Sequence, residues 1–342
     1  MCLFPKLIKN PKYKSTKKNG GLIPPVFDDR VKMIPIGCGK CMECRKKKAR
    51  EWNVRLQEEL RHTKLKGYFM TLTFSDESLV KLEEIARQKG FELDGYELDN
   101  KIASIAVRRF TENWRVQKKH SLRHWLITEL GHVKTERIHL HGLIWTDEPK
   151  EDLDKFWRWG TVDTGKFVNE KSVNYIVKYL HKVDIDHKHY VPKMYVSNGI
   201  GKGYLERFDS KRNGFVEGRT DELYRNKQGF KMALPIYYRN KIYSEEEREL
   251  LWIEKLDKEE RYVNGVRVDI SEGEEEYERL LRMEQAKNRR LGYGDDTVNW
   301  EEKRYERERR NMKKLKRLQK VWAKEQESLK CDVRGNVKDS FG

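Results

Sequence analysis

The sequence predicts an α+β fold, a mostly antiparallel sheet with helices packed on it, followed by a charged helical extension. Two observations predict the sheet and one the extension. Runs rich in aromatic and β-branched residues, GYFMTLTF at 67–74, RHWLITEL at 123–130 and IHLHGLIW at 138–145, read as strands. Segments with apolar residues three and four apart separate them, in the order strand, helix, strand, strand, helix, strand, which fits a sheet covered by helices on one face. Beyond residue 245, SEEEREL, EEEYERLLRM and EEKRYERERRNMKKLKRLQKVWAKEQ are long, heavily charged helical stretches.

Taken in order, residues 1–37 are basic and loop-like, with prolines at 5, 11, 24, 25 and 35. A cysteine cluster, GCGKCMECRKKK, leads into a helix near 45–64 that stacks Trp52, Leu56 and Leu60 on one face. Residues 76–98 read as a helix plus loop, and 101–119 as a helix carrying Ile105, Phe110 and Trp114. The strands 123–130 and 138–145 are joined by GHVKTER. A short helix near 151–158, turn and strand material, and a helix at 172–183 with Ser172 as its N-cap follow. The expected domains are a basic N-terminal segment (1–64), a central domain (65–245) and an exposed helical extension (246–342) whose leucines and Trp322 form a narrow apolar stripe.

Of the 342 residues, 37% are hydrophobic and 38% charged, yet 9 Trp and 16 Tyr are enough for a real core. The net charge of +17 comes wholly from residues 1–240, with 48 basic against 31 acidic residues, and residues 1–50 alone hold 14 against 3. A basic body with a strongly basic leading segment suits a polyanion such as nucleic acid. No apolar signal segment and no 18-residue apolar run occurs, so no membrane partner is expected. Five cysteines, three of them within seven residues, are unlike a secreted disulfide framework and point to a reduced cytoplasm.

His139 and His141 interrupt an otherwise apolar run. Strand alternation puts both on one face with Leu140 on the other. In a hairpin symmetric about Lys134, residue 129 lies opposite residue 139, so Glu129 joins the two imidazoles. Two imidazoles and a carboxylate leave coordination positions open for a substrate oxygen, a shell that fits Mg²⁺ or Mn²⁺ and also admits zinc. A second pair, His187 and His189 in DIDHKHY, reads as a solvated loop.

In NYIVKYLHK, Tyr175 and Tyr179 are four apart and share a helix face that Lys182 continues, with Lys178 to one side. Their bland reading is boundary core with wetted hydroxyls. Their chemical reading is nucleophilic: a phenol is a poor nucleophile at neutral pH, but a metal-polarised phosphodiester and nearby lysines make its attack feasible. Cys38, Cys41 and Cys44 form C-x2-C-x2-C, a thiolate trio that wants a fourth ligand to close a tetrahedral Zn²⁺ site. Cys2 is the candidate and His62 the alternative, with an iron–sulfur cluster as a competitor. Cys331, in a polar tail, is expected to have no structural part, and SNGIGKGY at 197–204 lacks phosphate-loop spacing and reads as a glycine turn.

The order TLTF, then E…HLH, then YxxKY resembles the HUH endonucleases, and within them the two-tyrosine rolling-circle replication initiators of microviruses of the gokushovirus-like branch. Cys2, CGKCMEC and Trp52 match their early cysteine cluster and helix, and ALPIYYRNK at 233–241 approximates a later element, so the resemblance spans roughly residues 1–245. It implies a ferredoxin-like sheet variant, with metal ligands Glu129, His139 and His141, paired nucleophiles Tyr175 and Tyr179, and Lys178 orienting or neutralising phosphate. Thr71 and Thr73 of the first motif take a structural or DNA-contacting part, and Lys182 is placed with them as a DNA contact. The implied activity is metal-dependent nicking and joining of single-stranded DNA through a 5′-phosphotyrosine, starting rolling-circle replication at a phage origin in the host bacterial cytoplasm. Host polymerase and helicase are the implied partners. The alternatives are a relaxase or transposase with the same chemistry, or a zinc-stapled single-strand-binding protein with none.

Overall fold

The computed structural model describes residues 1–132, 136–297 and 299–338. In chain order the strands and helices are β1 (Lys6–Lys9), β2 (Met33–Ile36), α1 (Met42–His62), β3 (Lys66–Leu72), α2 (Asp76–Gln88), α3 (Gly95–Lys118), β4 (Arg123–Leu130), β5 (Ile138–Thr146) and α4 (Lys150–Phe156). They continue with β6 (Val162–Phe167), α5 (Glu170–Ile176), β7 (Met194–Val196), β8 (Leu223–Arg225), β9 (Lys231–Ala233), α6 (Ile236–Ile242), α7 (Glu245–Asp257), β10 (Glu260–Val263), β11 (Val266–Asp269), α8 (Glu275–Arg290) and α9 (Trp300–Lys338). Among the described residues no helix is long and apolar enough to cross a membrane. The chain divides into two compact units that interleave in sequence.

One unit comprises Lys64–Ser172, Asp186–Asn198 and Val298–Gly342. Its centre is a five-stranded antiparallel sheet in the order β6-β3-β5-β4-β7. Alternation sends Met70, Leu72, Leu126, Leu130, Ile138, Leu140 and Ile144 to one face, where they form a single core with Leu79, Leu82, Ile102, Phe110 and Trp114 of α2 and α3 and Leu153 of α4. This is the expected α+β architecture. Gly142 sits where the sheet is tightest, because a Cβ there would collide with the Leu126 side chain and stand 2.6 Å from the Trp125 carbonyl oxygen. The residue after the second histidine is therefore glycine for packing reasons.

The α3 helix starts at Gly95, earlier than the sequence predicts, and the loop between helices is confined to 89–94. The C-terminal α9 is a helix as expected, but its first half is not a solvated appendage. Glu306 and Arg310 are buried, and the Arg310 guanidinium donates to both oxygens of the buried Asp99 at 2.7 and 3.1 Å. A second correction concerns DIDHKHY. His187 is 1% exposed, edge-on to Tyr96, with its Nε2 3.1 Å from Glu136, because Tyr96 and Tyr190 supply an aromatic wall that a polar stretch does not announce.

The other unit comprises Met1–Thr63, Val173–Ile185 and Gly199–Thr297. Its scaffold is α1, and the 199–206 turn packs onto that helix. The Gly201 N–H donates to Glu59 at 2.8 Å, while Arg55 donates to the Ile200 carbonyl. At φ +75° and with the Arg55 carbonyl 2.5 Å from any Cβ, position 201 requires glycine. The Arg55 guanidinium lies over the rings of both Trp52 and Tyr237, and Tyr238 is buried with its hydroxyl donating to the Gly201 carbonyl. The glycine turn is thus a packing device.

Candidate metal centre and tyrosine pair

The β4–β5 register sets Glu129 directly opposite His139, as the symmetric hairpin requires, although Lys134 itself lies outside the described residues. On that face the imidazole Nε2 atoms of His139 and His141 stand 3.1 Å apart, and Glu129 Oε2 is 3.3 Å from the first and 3.0 Å from the second. All three side chains are partly buried.

The tautomers follow from what each Nδ1 meets. His139 Nδ1 faces the Arg137 carbonyl at 3.2 Å, and a carbonyl only accepts, so the proton sits on Nδ1 and the lone pair on Nε2. His141 Nδ1 faces Thr71 Oγ1 at 3.2 Å, and when that hydroxyl accepts, His141 Nε2 is likewise a free acceptor. Two imidazole lone pairs and an acceptor-only carboxylate then converge on one point, an arrangement that a cation satisfies. The spacing also fits, since ligands bound at right angles about 2.1 Å from one ion stand about 3.0 Å apart. The strand pair is held open for this set by backbone pairing alone, with no contribution from loop residues.

Thr71 pairs with His141 across β3 and β5, which puts its hydroxyl beside the ring. Sequence reasoning missed this part for Thr71, because it depends on which strand neighbours β5. Thr73 is placed differently. Its hydroxyl lies 2.7 Å from that of Thr161 and accepts from the Thr161 N–H at 2.9 Å, tying the end of β3 to the approach to β6.

Tyr175 and Tyr179 belong to the other unit. Their helix begins at Glu170, before Ser172. The cap is Asn169, whose side-chain oxygen accepts from the Ser172 N–H at 3.0 Å. It also ends early. The α-helix stops at Ile176 and tightens into a 3₁₀ turn over Val177–Leu180, so a regular helix to 183 is corrected. The two tyrosines straddle that change with hydroxyls 3.2 Å apart, ring centroids 5.8 Å apart and Lys178 Nζ 5.8 Å from the Tyr175 ring. Tyr175 is 50% exposed.

This segment rests against a cationic stretch of α1. Arg45 donates to the Lys182 carbonyl at 3.0 Å and Asn53 to the Asn174 side chain at 2.7 Å. Burial and the neighbouring Arg45, Lys46 and Lys178 hold the His181 imidazole below its ordinary pKa, so the surroundings of the tyrosine pair are positive. Arg45 and Lys46 belong to the RKKK run. Sequence reasoning read that run only as general basicity.

Cys2, Cys38, Cys41 and Cys44 offer sulfurs that all lie within 4.8 Å of one another, and none is disulfide-bonded. The pairs 2–41 and 38–44 are 3.9 and 4.0 Å apart, close to the edge of about 3.8 Å that a tetrahedron with Zn–S of about 2.3 Å would have. Backbone N–H groups of Phe4 and Cys38 donate to the Cys2 sulfur at 3.3 and 3.2 Å, so the terminal cysteine takes the fourth place. His62 is engaged elsewhere, with Nδ1 on the Glu58 carbonyl at 2.9 Å. The hydrogen bond from Cys44 brings the Cys41 thiol down to about 4, while burial pushes Cys38 up to about 11. The donor set therefore suits a thiophilic ion. Residues long after 245 seal it: Val263, Tyr277, Leu280 and Leu281 pack around the cysteines, and buried Asn288 accepts from the Met42 N–H at 2.8 Å.

Residues 67–184 match a family model for replication-associated proteins of the ORF2 type. No curated protein and no solved structure matches the chain. The matched segment contains Thr71, Glu129, His139, His141, Tyr175, Lys178 and Tyr179, and the match supports a role in replication initiation, as a rolling-circle initiator.

Proposed function

We propose that the protein is a metal-dependent, site-specific single-strand DNA endonuclease and strand-joining enzyme that starts rolling-circle replication of a phage genome. The observation that carries the reading is the convergence of His139 Nε2, His141 Nε2 and Glu129 Oε2 within 3.3 Å, in a segment matched by a replication-protein family. A Mg²⁺ or Mn²⁺ held by those three side chains supplies Lewis-acid polarisation of a phosphodiester. The remaining work belongs to the chain. Thr71 and the Arg137 carbonyl fix the two rings so that both Nε2 atoms face the same point.

One tyrosine hydroxyl attacks the scissile phosphorus. The Oη–P bond forms as the P–O3′ bond breaks, the phenol gives up its proton, and the departing 3′-oxygen takes one up. The products are a 5′-phosphotyrosyl link and a free 3′-OH. Lys178, Lys182 and Arg45 supply positive charge along the same segment. After one circuit the second tyrosine cuts the regenerated origin, and the released 3′-OH attacks the first link, freeing its tyrosine and closing the circle. No nucleotide hydrolysis is required, because each transfer keeps the phosphodiester energy in the covalent link. Host polymerase extends the 3′-OH and host helicase opens the duplex, in the bacterial cytoplasm. Cys2, Cys38, Cys41 and Cys44 hold a structural Zn²⁺ that ties the basic N-terminus to α1.

The test is incubation with labelled single-stranded origin DNA and Mn²⁺, Mg²⁺ or EDTA, followed by a denaturing gel. The expected result is a metal-dependent, protein-linked band lost in the Tyr175→Phe/Tyr179→Phe double variant. Tight binding with no adduct in either metal would replace this reading with that of a non-enzymatic single-strand-binding protein.

A further inference from the structure

The α9 helix is docked by the wrong face for an amphipathic helix. The side toward its own unit is charged: Arg310 meets Asp99, Lys313 meets Glu136, Arg317 meets Asp76 and Lys324 meets Glu77. The apolar side points away. Met312, Leu315, Trp322 and Leu329 are each between 50% and 58% exposed. Their spacing of 3, 7 and 7 residues places Met312 at the a position of a heptad and the other three at successive d positions, with Gln319 and Gln326 at the intervening a positions. Residues 310 and 317 lie about 200° around the helix from 312 and 315, so the docked face and the apolar seam are back to back.

We propose that this seam is a dimerisation surface whose occupant is the same helix of a second copy, paired parallel and in register. The charges flanking the seam select that partner and orientation. The e positions 309 and 316 are Arg and Lys, which an antiparallel arrangement would bring against the like row of the partner. In the parallel arrangement the g position of one copy meets the e position of the other, giving Asn311 with Lys316 and Leu318 with Ala323 and no like-charge pair. Gln319 then faces its own counterpart, a polar a-position pair that fixes register at some cost in affinity. Glu308, at the preceding d position, ends the seam.

The seam is short. Four large side chains per copy, each removing about 100 Å² from water, with flanking stems, bury in total about 1,000 Å², the lower bound for a specific interface. A reversible dimer with a Kd in the micromolar range is the consequence.

The test is sedimentation velocity of the full chain from about 1 to about 100 µM. The expected result is a concentration-dependent monomer–dimer equilibrium. Because the seam is exposed, the Leu315→Glu/Trp322→Glu double variant should keep its circular dichroism and melting temperature yet stay monomeric, a loss of at least about 100-fold in affinity. A Trp322→Cys variant should oxidise to a 322–322 link, identified by peptide mapping. A wild-type chain that is monomeric throughout, or a double variant that still dimerises, overturns the proposal. A dimer that never forms the 322–322 link overturns the parallel register.

Discussion

Thr71→Val isolates the part of the metal centre that lies outside its ligands. The substitution keeps a β-branched side chain in β3, so the strand and its pairing with β5 persist, while the hydroxyl 3.2 Å from His141 Nδ1 is removed. A neutral hydrogen bond of this kind is worth about 1 kcal/mol, or about fivefold in affinity. The ring also loses its fixed orientation, and partners of metal-bound histidines typically contribute 10- to 100-fold, so a loss of about tenfold in Mn²⁺ affinity is expected. Calorimetric titration with Mn²⁺ reads this without reference to DNA. Glu129→Gln, which removes the anionic ligand, should lose more than Thr71→Val, and Thr73→Val should lose nothing, because its hydroxyl serves Thr161. Equal affinities for wild type and Thr71→Val would refute the claim that Thr71 aims His141.

Four further outcomes follow from the geometry. Purified chain should carry one zinc by elemental analysis, and Cys38→Ser should lose it and lower the melting temperature of the unit holding α1. Arg310→Met should destabilise its own unit by about 3–5 kcal/mol, read by denaturant unfolding, since it leaves Asp99 buried and unpaired. Gly142→Ala should be worse than an ordinary overpacking cost of about 1–3 kcal/mol, because the added Cβ meets backbone as well as Leu126. Burial alone would raise the Glu136 carboxyl, but hydrogen bonds from Lys313 and His187 outweigh it and leave its pKa lowered. Its stabilising contribution is therefore present above the ordinary value of 4.5 and lost as pH falls through the lower folded value, and Glu136→Gln should flatten that acid limb of an unfolding profile.

The metal centre was legible because strand alternation has a strict period. Once RHWLITEL and IHLHGLIW are read as one hairpin, Glu129 and both histidines must share a face. The Thr71 contact was not, since nothing local says that β3 rather than another strand borders β5. The tyrosine pair was legible from its spacing, but its helix boundaries were not: Asn169 competes with Ser172 as cap, and the 3₁₀ turn is set by packing on α1. The cysteine quartet was legible from C-x2-C-x2-C, whereas its seal depends on Asn288 meeting Met42 across 246 residues. His187 misled for the same reason, being buried by Tyr96 from a distant helix.

The central claim is that a tyrosine of this segment becomes covalently joined to DNA. Trypsin cleavage after Lys171, Lys178 and Lys182 puts Tyr175 and Tyr179 on separate peptides, so mass spectrometry of a nuclease-trimmed adduct reports each independently. The expected result is a 5′-phosphonucleotide on residues 172–178, 179–182 or both, formed only with divalent metal and absent from Glu129→Gln. An adduct carried by any other peptide, or no adduct from DNA that has demonstrably been nicked, would contradict it.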